Sequence, residues 1–118
     1  MKTLIIGASE NPARYANRAA KSLAQHGHTV ALVGLRAGDI DGAPIQTGLP
    51  DLDGIDTVTM YVGAENQAGY VDYLKHLAPR RVIFNPGAEN PALARQLQQA
   101  GIETVEGCTL VMLSVGTF

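Results

Sequence analysis

The sequence predicts an α/β fold in three layers, with a five-stranded parallel sheet covered by helices on both faces. Short, β-rich apolar runs recur at intervals of roughly 25 residues. Helical patterns with recognisable caps separate three pairs of these runs. Such alternation produces right-handed crossovers between parallel strands. The length of 118 residues indicates one domain, residues 1–118.

The first third of the chain predicts two strands with a helix between them. The run "TLIIG" (3–7) is typical of a buried strand that ends in glycine. Asn11-Pro12 predicts a helix start, with Asn11 as N-cap and Pro12 at the first helical position. Gly27 ends this helix, and "HTVALVG" (28–34) is the next strand. The apolar face of the helix is predicted to hold Ala13, Ala16, Ala20, Leu23 and Ala24.

The second half of the chain predicts the same alternation three more times. Strands are expected at 57–62, 81–85 and 102–106, and helices at about 66–77, 91–100 and 108–114. Residues 35–55 are rich in Gly and Asp and carry no long helical pattern. We expect a loop there, with a small extra strand near Ala43–Gln46 and a turn near Pro50–Leu52.

Composition excludes several classes of protein. Hydrophobic residues make up 46% of the chain, which is not a disordered composition. A single cysteine permits no internal disulfide, and no apolar run approaches the length of a membrane helix. We therefore expect a soluble, cytoplasmic protein without membrane contact. The net charge of −2 argues against nucleic-acid binding.

The basic residues are concentrated near the start of the chain. Residues 1–36 carry Lys2, Arg14, Arg18, Lys21 and Arg36 against a single acidic residue, Glu10. A local positive region in an acidic protein suits a small anionic ligand. A solvated helix face would give the same charge pattern, and the charges alone do not separate the two explanations.

One short motif is written three times, as "GASENPA" (7–13), "GAENQA" (63–68) and "GAENPA" (87–92). Each copy lies where a predicted strand ends and a helix begins. In a parallel sheet these junctions meet at the carboxyl edge, where ligands of open α/β sheets bind. For the second and third copies we favour the simpler explanation that Gly-Ala-Glu-Asn is good turn-and-cap chemistry.

The first copy is the best candidate for a phosphate-binding loop. Gly7 lets the backbone approach a ligand, Ala8 is small, and Ser9 offers a hydroxyl donor. A helix N-terminus with free N–H groups follows, and Arg14 lies within reach of a bound phosphate. The loop has one glycine where a dinucleotide fingerprint has three, so the motif is specific only in its strand–loop–helix setting.

The end of the second strand narrows the ligand class. NAD sites place an acidic residue there for the ribose hydroxyls, and this chain instead has Gly34-Leu35-Arg36. Gly34 admits an adenosine, and Arg36 can pair with a phosphate on its ribose. The pattern predicts coenzyme A or NADP, with a solvent-exposed arginine as the structural alternative.

These motifs resemble the small stand-alone CoA-binding proteins, whose Rossmann-like domain is similar to the CoA-binding domain of succinyl-CoA synthetase. The resemblance covers nearly the whole chain. It rests on "IIGASENPARYANRAAKSLAQHGHTV", "GAPIQTGLPDLDGIDTVTMYV" and "GIETVEGCTLVML". It implies a pyrophosphate on Gly7, Ala8 and Ser9, an adenosine near Gly34, Leu35 and Arg36, and groove walls near Tyr61-Val62 and Asn85-Pro86-Gly87.

The chain departs from the family at two places. The family usually has Asn-Pro-Lys-like residues after the second strand, where this chain has Gly-Leu-Arg. It often has an arginine after the third strand, where this chain has Tyr61-Val62-Gly63. One cation is replaced conservatively and another is missing.

The residues offer little catalytic chemistry. Ser9 has no base near it in sequence, and no metal-ligand cluster or catalytic set is evident. Cys108 is expected to be a small buried hydrophobe; a mixed disulfide with the CoA thiol is the alternative. Our first hypothesis is a binding module for CoA or an acyl-CoA without evident catalysis. The alternatives are a small NADP-binding reductase or redox sensor, and a nucleotide domain supplied to a partner enzyme. Protein partners to consider are a second copy, giving a homodimer, and that larger enzyme.

Overall fold

The structure, a computed structural model, describes residues 2–118. Within them the strands are β1 (Lys2–Ile6), β2 (Thr29–Val33), β3 (Gly38–Ile40), β4 (Ala43–Gln46), β5 (Ile55–Met60), β6 (Arg81–Phe84) and β7 (Glu103–Glu106). The helices are α1 (Tyr15–Gln25), α2 (Val71–Leu77), α3 (Pro91–Gln99) and α4 (Thr109–Val115).

All strands belong to one sheet with the order β3-β4-β2-β1-β5-β6-β7. Every neighbouring pair is parallel except β3 and β4. Helices α1 and α4 pack together on one face, and α2 and α3 pack together on the other. The three-layer α/β fold is confirmed, but the predicted number of strands is wrong, because the described residues form seven strands rather than five.

The order of the strands creates a switch point beside β1. The chain moves outward from β1 to β2 and β4, then returns to the other side of β1 with β5, β6 and β7. Helix α1 therefore follows β1 on one face while α2 follows β5 on the opposite face. In open α/β sheets, ligands bind at the carboxyl edge beside such a switch point.

The central strands are buried on both faces, which explains their unbroken apolar sequences. In β1, Leu4 and Ile6 belong to the core on the α2–α3 side, and Ile5 belongs to the core on the α1–α4 side. All three are 0% exposed. Alternate residues point to opposite faces, so such a strand needs apolar residues throughout.

Two Asn-Pro pairs behave differently. Asn90 Oδ1 accepts a hydrogen bond from Leu93 N at 3.2 Å, and α3 begins at Pro91 as predicted. Asn11 Oδ1 instead accepts from Ala13 N at 3.0 Å, which closes a turn before α1 begins at Tyr15. The predicted start of the first helix is therefore wrong. On its apolar face, Ala16, Ala20 and Leu23 are buried together with Ala19, whereas Ala13 and Ala24 are exposed.

The segment predicted as a helix over 66–77 is only partly helical. Two 3-10 turns, Ala64–Asn66 and Ala68–Tyr70, precede α2. Gly69 disfavours a continuous helix at this point, and the side chain of Gln67 is 0% exposed. The closing helix predicted over 108–114 is confirmed as α4, and the extra strand near Ala43–Gln46 is confirmed as β4.

Candidate functional site

The loops that follow β1, β2, β4, β5 and β6 meet at the carboxyl edge of the sheet, as predicted from their positions after parallel strands. They comprise residues 7–14, 34–37, 47–49, 61–70 and 85–90. Gly7 and Gly34 lie next to each other there, because the strands that precede them pair with Ile6 opposite Val33. Only the loops after β1 and β2 bring basic side chains to this edge, Arg14 and Arg36.

The loop after β1 is tied to the neighbouring strand. Gly7 has a φ of +100°, and both Gly7 N and Ala8 N donate to Val33 O at 2.9 Å. These two N–H groups are therefore committed to the fold. Among residues 2–118, no group accepts from the N–H of Ser9 or Glu10. Any anion bound by this backbone would be held by those two groups and not by Gly7 and Ala8.

Two further residues, Asn17 and Gly34, contact the same loop and fix its position. Buried Asn17 donates from Nδ2 to Ser9 O at 2.9 Å, which anchors the loop to α1. Gly34 lies directly under the Ala8 carbonyl, and a Cβ at position 34 would overlap with that oxygen. Gly34 is thus required for the packing of the first loop, whatever it contributes to a ligand.

A cavity of about 360 Å³ opens beside the end of β2. Its walls come from three separate loops and are formed by Gly34, Leu35, Thr47, Gly48, Leu49, Gly69 and Tyr70. Leu35 is 95% exposed and Leu49 is 54% exposed, so large apolar side chains face solvent at the mouth of the cavity. Sequence reasoning found Gly34 and Leu35 but missed the other wall residues. The available signal was that "TGL" (47–49) follows the predicted extra strand at the same edge.

Tyr61 lies at the end of β5 but turns away from this cavity. Its ring packs against the core on the α1–α4 side. The hydroxyl is buried and, among the described residues, has no hydrogen-bond partner of acceptable geometry. Burial raises the pKa of Tyr61 to about 12, although the nearby hydroxyls of Thr109 and Thr59 oppose the shift. A phenol in this setting is a poor proton donor to a ligand at the surface.

Asn85 is 1% exposed and serves the fold from inside the carboxyl edge. Its Nδ2 donates to Thr59 Oγ1 at 2.7 Å and to Met60 O at 2.9 Å. Its Oδ1 accepts from Thr109 N at 2.9 Å, and Thr109 and Thr59 share a hydrogen bond of 2.7 Å. The amide thus joins β5, the end of β6 and the start of α4. Pro86 and Gly87, which follow it, are exposed.

Gln67 joins the second and third copies of the repeated motif, a role that sequence reasoning missed. Its Nε2 donates to Val62 O and to Ala88 O, both at 2.7 Å, and its Oε1 accepts from Asn90 Nδ2 at 3.1 Å. The loops 61–70 and 85–90 therefore form one continuous rim. The second copy holds the rim together in addition to turning the chain.

Three of the residues singled out in the sequence remain, and two of them lie in solvent. Arg14 and Arg36 are both exposed, on the loops that follow β1 and β2. Cys108, expected to be a small buried hydrophobe, is half-buried at the N-cap of α4. No helix among the described residues has the length and apolar character needed to cross a membrane.

The chain is thus a doubly wound α/β protein with a glycine-containing first loop and a cavity at the end of β2, at the sheet edge where proteins of this class bind their ligands. Comparison with family models identifies the family within this class. Residues 1–114 match the CoA-binding domain model, and the chain belongs to that family.

Solved structures agree on the fold. A crystal structure of an uncharacterized protein is 50% identical to the chain, with a TM-score of 0.97, and the match covers 99% of this chain and 97% of that one. Cell-free ID.343 from Thermus thermophilus is 21% identical, with a TM-score of 0.87 and coverage of 99% and 90%. A search of curated proteins found no match.

A larger protein contains the same fold as one part. The dinucleotide-forming acetyl-coenzyme A synthetase 1 of Ca. Korarchaeum cryptofilum, solved with phosphate and ADP, is 17% identical with a TM-score of 0.75. The match covers 90% of this chain but only 25% of the synthetase. At this identity the likeness concerns the fold alone.

Proposed function

We propose that the protein binds coenzyme A or an acyl-CoA at the carboxyl edge of the sheet. The observation that carries this proposal is the cavity at the end of β2, next to Arg36, in a chain of the CoA-binding family. The cavity volume of about 360 Å³ is within the range of small-molecule sites. The adenosine occupies this cavity, with Leu35, Leu49 and Tyr70 as its apolar walls.

The pyrophosphate lies on the loop after β1. The N–H groups of Ser9 and Glu10 bind its oxygens, because those of Gly7 and Ala8 are committed to Val33. Ser9 Oγ accepts from Asn11 N at 3.1 Å, which leaves the hydroxyl proton free to donate. Arg14 adds a charge-assisted contact from the position just before α1. Arg36 pairs with the phosphate on the ribose, the group that distinguishes CoA from dephospho-CoA.

The protein acts as a binding module without a reaction of its own. The imidazoles of His26 and His28 lie at the amino edge of the sheet, and that of His76 lies near Asp51, at 3.4 Å. Tyr61, the proton donor that a reductase would need, is buried with a raised pKa. These placements favour CoA binding over the NADP-dependent alternative.

A thermal-shift panel with CoA, acetyl-CoA, NADP, NAD and ATP tests the proposal. A ligand that binds only the folded state stabilises it by about 2.7 kcal/mol at a hundredfold excess over Kd. For a chain of this size this corresponds to a rise in Tm of roughly 10 °C. We expect the rise with CoA and acetyl-CoA. A rise with NADP and none with CoA would refute the proposal and favour the alternative.

A further inference from the structure

The rim formed by the loops after β5 and β6 carries two carboxylates, those of Glu65 and Glu89. Glu89 Oε1 accepts from Gly87 N at 2.8 Å. The carboxyl group of Glu65 lies over Gly63, with its carboxyl carbon 2.9 Å from where a Cβ of residue 63 would be. Because Gln67 bonds Val62 O and Ala88 O, both carboxylates belong to the same stretch of rim.

No basic residue balances these charges within the loops themselves. Residues 61–74, 82–94 and 105–118 contain no Lys or Arg. The loops after β1 and β2, by contrast, carry Arg14 and Arg36. Both cations of the loops at this edge thus lie on the side of β1 and β2, together with the carboxylate of Glu10, whereas the loops after β5 and β6 carry carboxylates without a cation.

A bound CoA would span both sides of this edge. In the proposed function, on which this inference rests, the adenosine lies beside β2 and the pyrophosphate lies beside β1. Strands β5 and β6 lie on the other side of β1. The pantetheine arm leaves the pyrophosphate away from the adenosine, so it crosses the loops that hold Glu65 and Glu89.

We propose that Glu65 and Glu89 select the acyl group carried by the ligand: free CoA and uncharged acyl-CoAs bind, and acyl-CoAs that end in a carboxylate are disfavoured. A carboxylate brought to this rim meets two like charges with no cation among the rim loops to offset them. Exposed charge pairs contribute up to about 1 kcal/mol each, which corresponds to roughly fivefold per pair. With both glutamates present, an acyl-CoA that ends in a carboxylate should bind on the order of tenfold more weakly than an uncharged acyl-CoA at low salt.

Titration calorimetry with butyryl-CoA and succinyl-CoA tests this selection, because both acyl groups have four carbons and only one ends in a carboxylate. With the wild-type protein, we expect succinyl-CoA to bind about tenfold more weakly at low ionic strength, with a smaller difference in high salt. In the double variant Glu65→Gln, Glu89→Gln the difference should fall below about threefold, with butyryl-CoA unaffected. The amide oxygen introduced at position 89 can still accept from Gly87 N, so the loop is preserved.

Glu103→Gln is the matched control, since Glu103 begins β7 at the opposite edge of the sheet. This variant should retain the full discrimination. Equal affinities for butyryl-CoA and succinyl-CoA in the wild-type protein would overturn the selection while leaving CoA binding intact. A difference that persists in the double variant would overturn the assignment to the two glutamates. Failure of CoA itself to bind would overturn the proposed function and this inference with it.

Discussion

Asn85→Ala is predicted to be a strongly destabilising substitution at the carboxyl edge. The amide makes three hydrogen bonds of 2.7 to 2.9 Å and is 1% exposed. At about 1 kcal/mol for each bond, the free energy of unfolding should fall by about 3 kcal/mol. The N–H of Thr109, a residue that is 0% exposed, loses its partner in this variant.

Urea unfolding followed by circular dichroism measures this change, and Asn66→Ala is the matched control. Asn66 is exposed, and its side chain makes no hydrogen bond to another residue among 2–118. The control should change the free energy of unfolding by less than about 0.5 kcal/mol. A loss below about 1 kcal/mol for Asn85→Ala, or an equal loss for both variants, would show that the Asn85 network does not hold α4 to the sheet.

Two further predictions concern residues at the ligand edge. Gly34→Ala should lower the free energy of unfolding by about 1–3 kcal/mol, because the new methyl group overlaps the Ala8 carbonyl. Gly69 has open space around it, so Gly69→Ala should be nearly neutral in the same assay. A similar loss of stability in both variants would contradict the close packing at Gly34. For Tyr61, the pKa of about 12 in the folded state lies above the ordinary value of 10.0, so its contribution to stability is complete below pH 10 and is lost as the pH rises through 12. Thermal unfolding measured between pH 10 and pH 12 should therefore show a smaller fall in Tm for Tyr61→Phe than for the wild type. An identical fall in Tm for both proteins would mean that the phenol is not buried.

The apolar strands and most helices could be predicted from the sequence because local pattern determines them. The hairpin of β3 and β4 also had a local signal, which we missed. Asp41 and Gly42 both adopt positive φ, of 49° and 91°, and Asp-Gly between apolar residues is a strong hairpin signal. Recognising it would have given the strand Gly38–Ile40.

Other features depend on contacts that the local sequence does not contain. Asn11-Pro12 and Asn90-Pro91 are the same dipeptide, but only the second opens a helix. The loop after β1 is held instead by Asn17 on Ser9 O and by Glu10, which accepts from Asp39 N at 2.9 Å. These partners come from different elements, so periodicity and capping rules could not identify them.

The candidate site was predictable in position but not in detail. The predicted topology places Asn85 at the carboxyl edge of the sheet. It does not show that the side chain points inward to Thr59 and Thr109. Nor does it show that Leu49 and Tyr70 share a cavity with Leu35, since the three lie on separate loops. Residue positions along parallel strands follow from the sequence, whereas side-chain direction at their ends depends on packing.

The most direct test of the account compares CoA with dephospho-CoA by titration calorimetry, on the wild-type protein and on Arg36→Ala. If Arg36 binds the ribose phosphate, the substitution should weaken CoA roughly tenfold and leave dephospho-CoA unchanged. Arg18→Ala, on the exposed surface of α1, is the control and should bind both ligands as the wild type does. Equal losses for CoA and dephospho-CoA in Arg36→Ala, or no binding of CoA to the wild-type protein at millimolar concentration, would contradict the account.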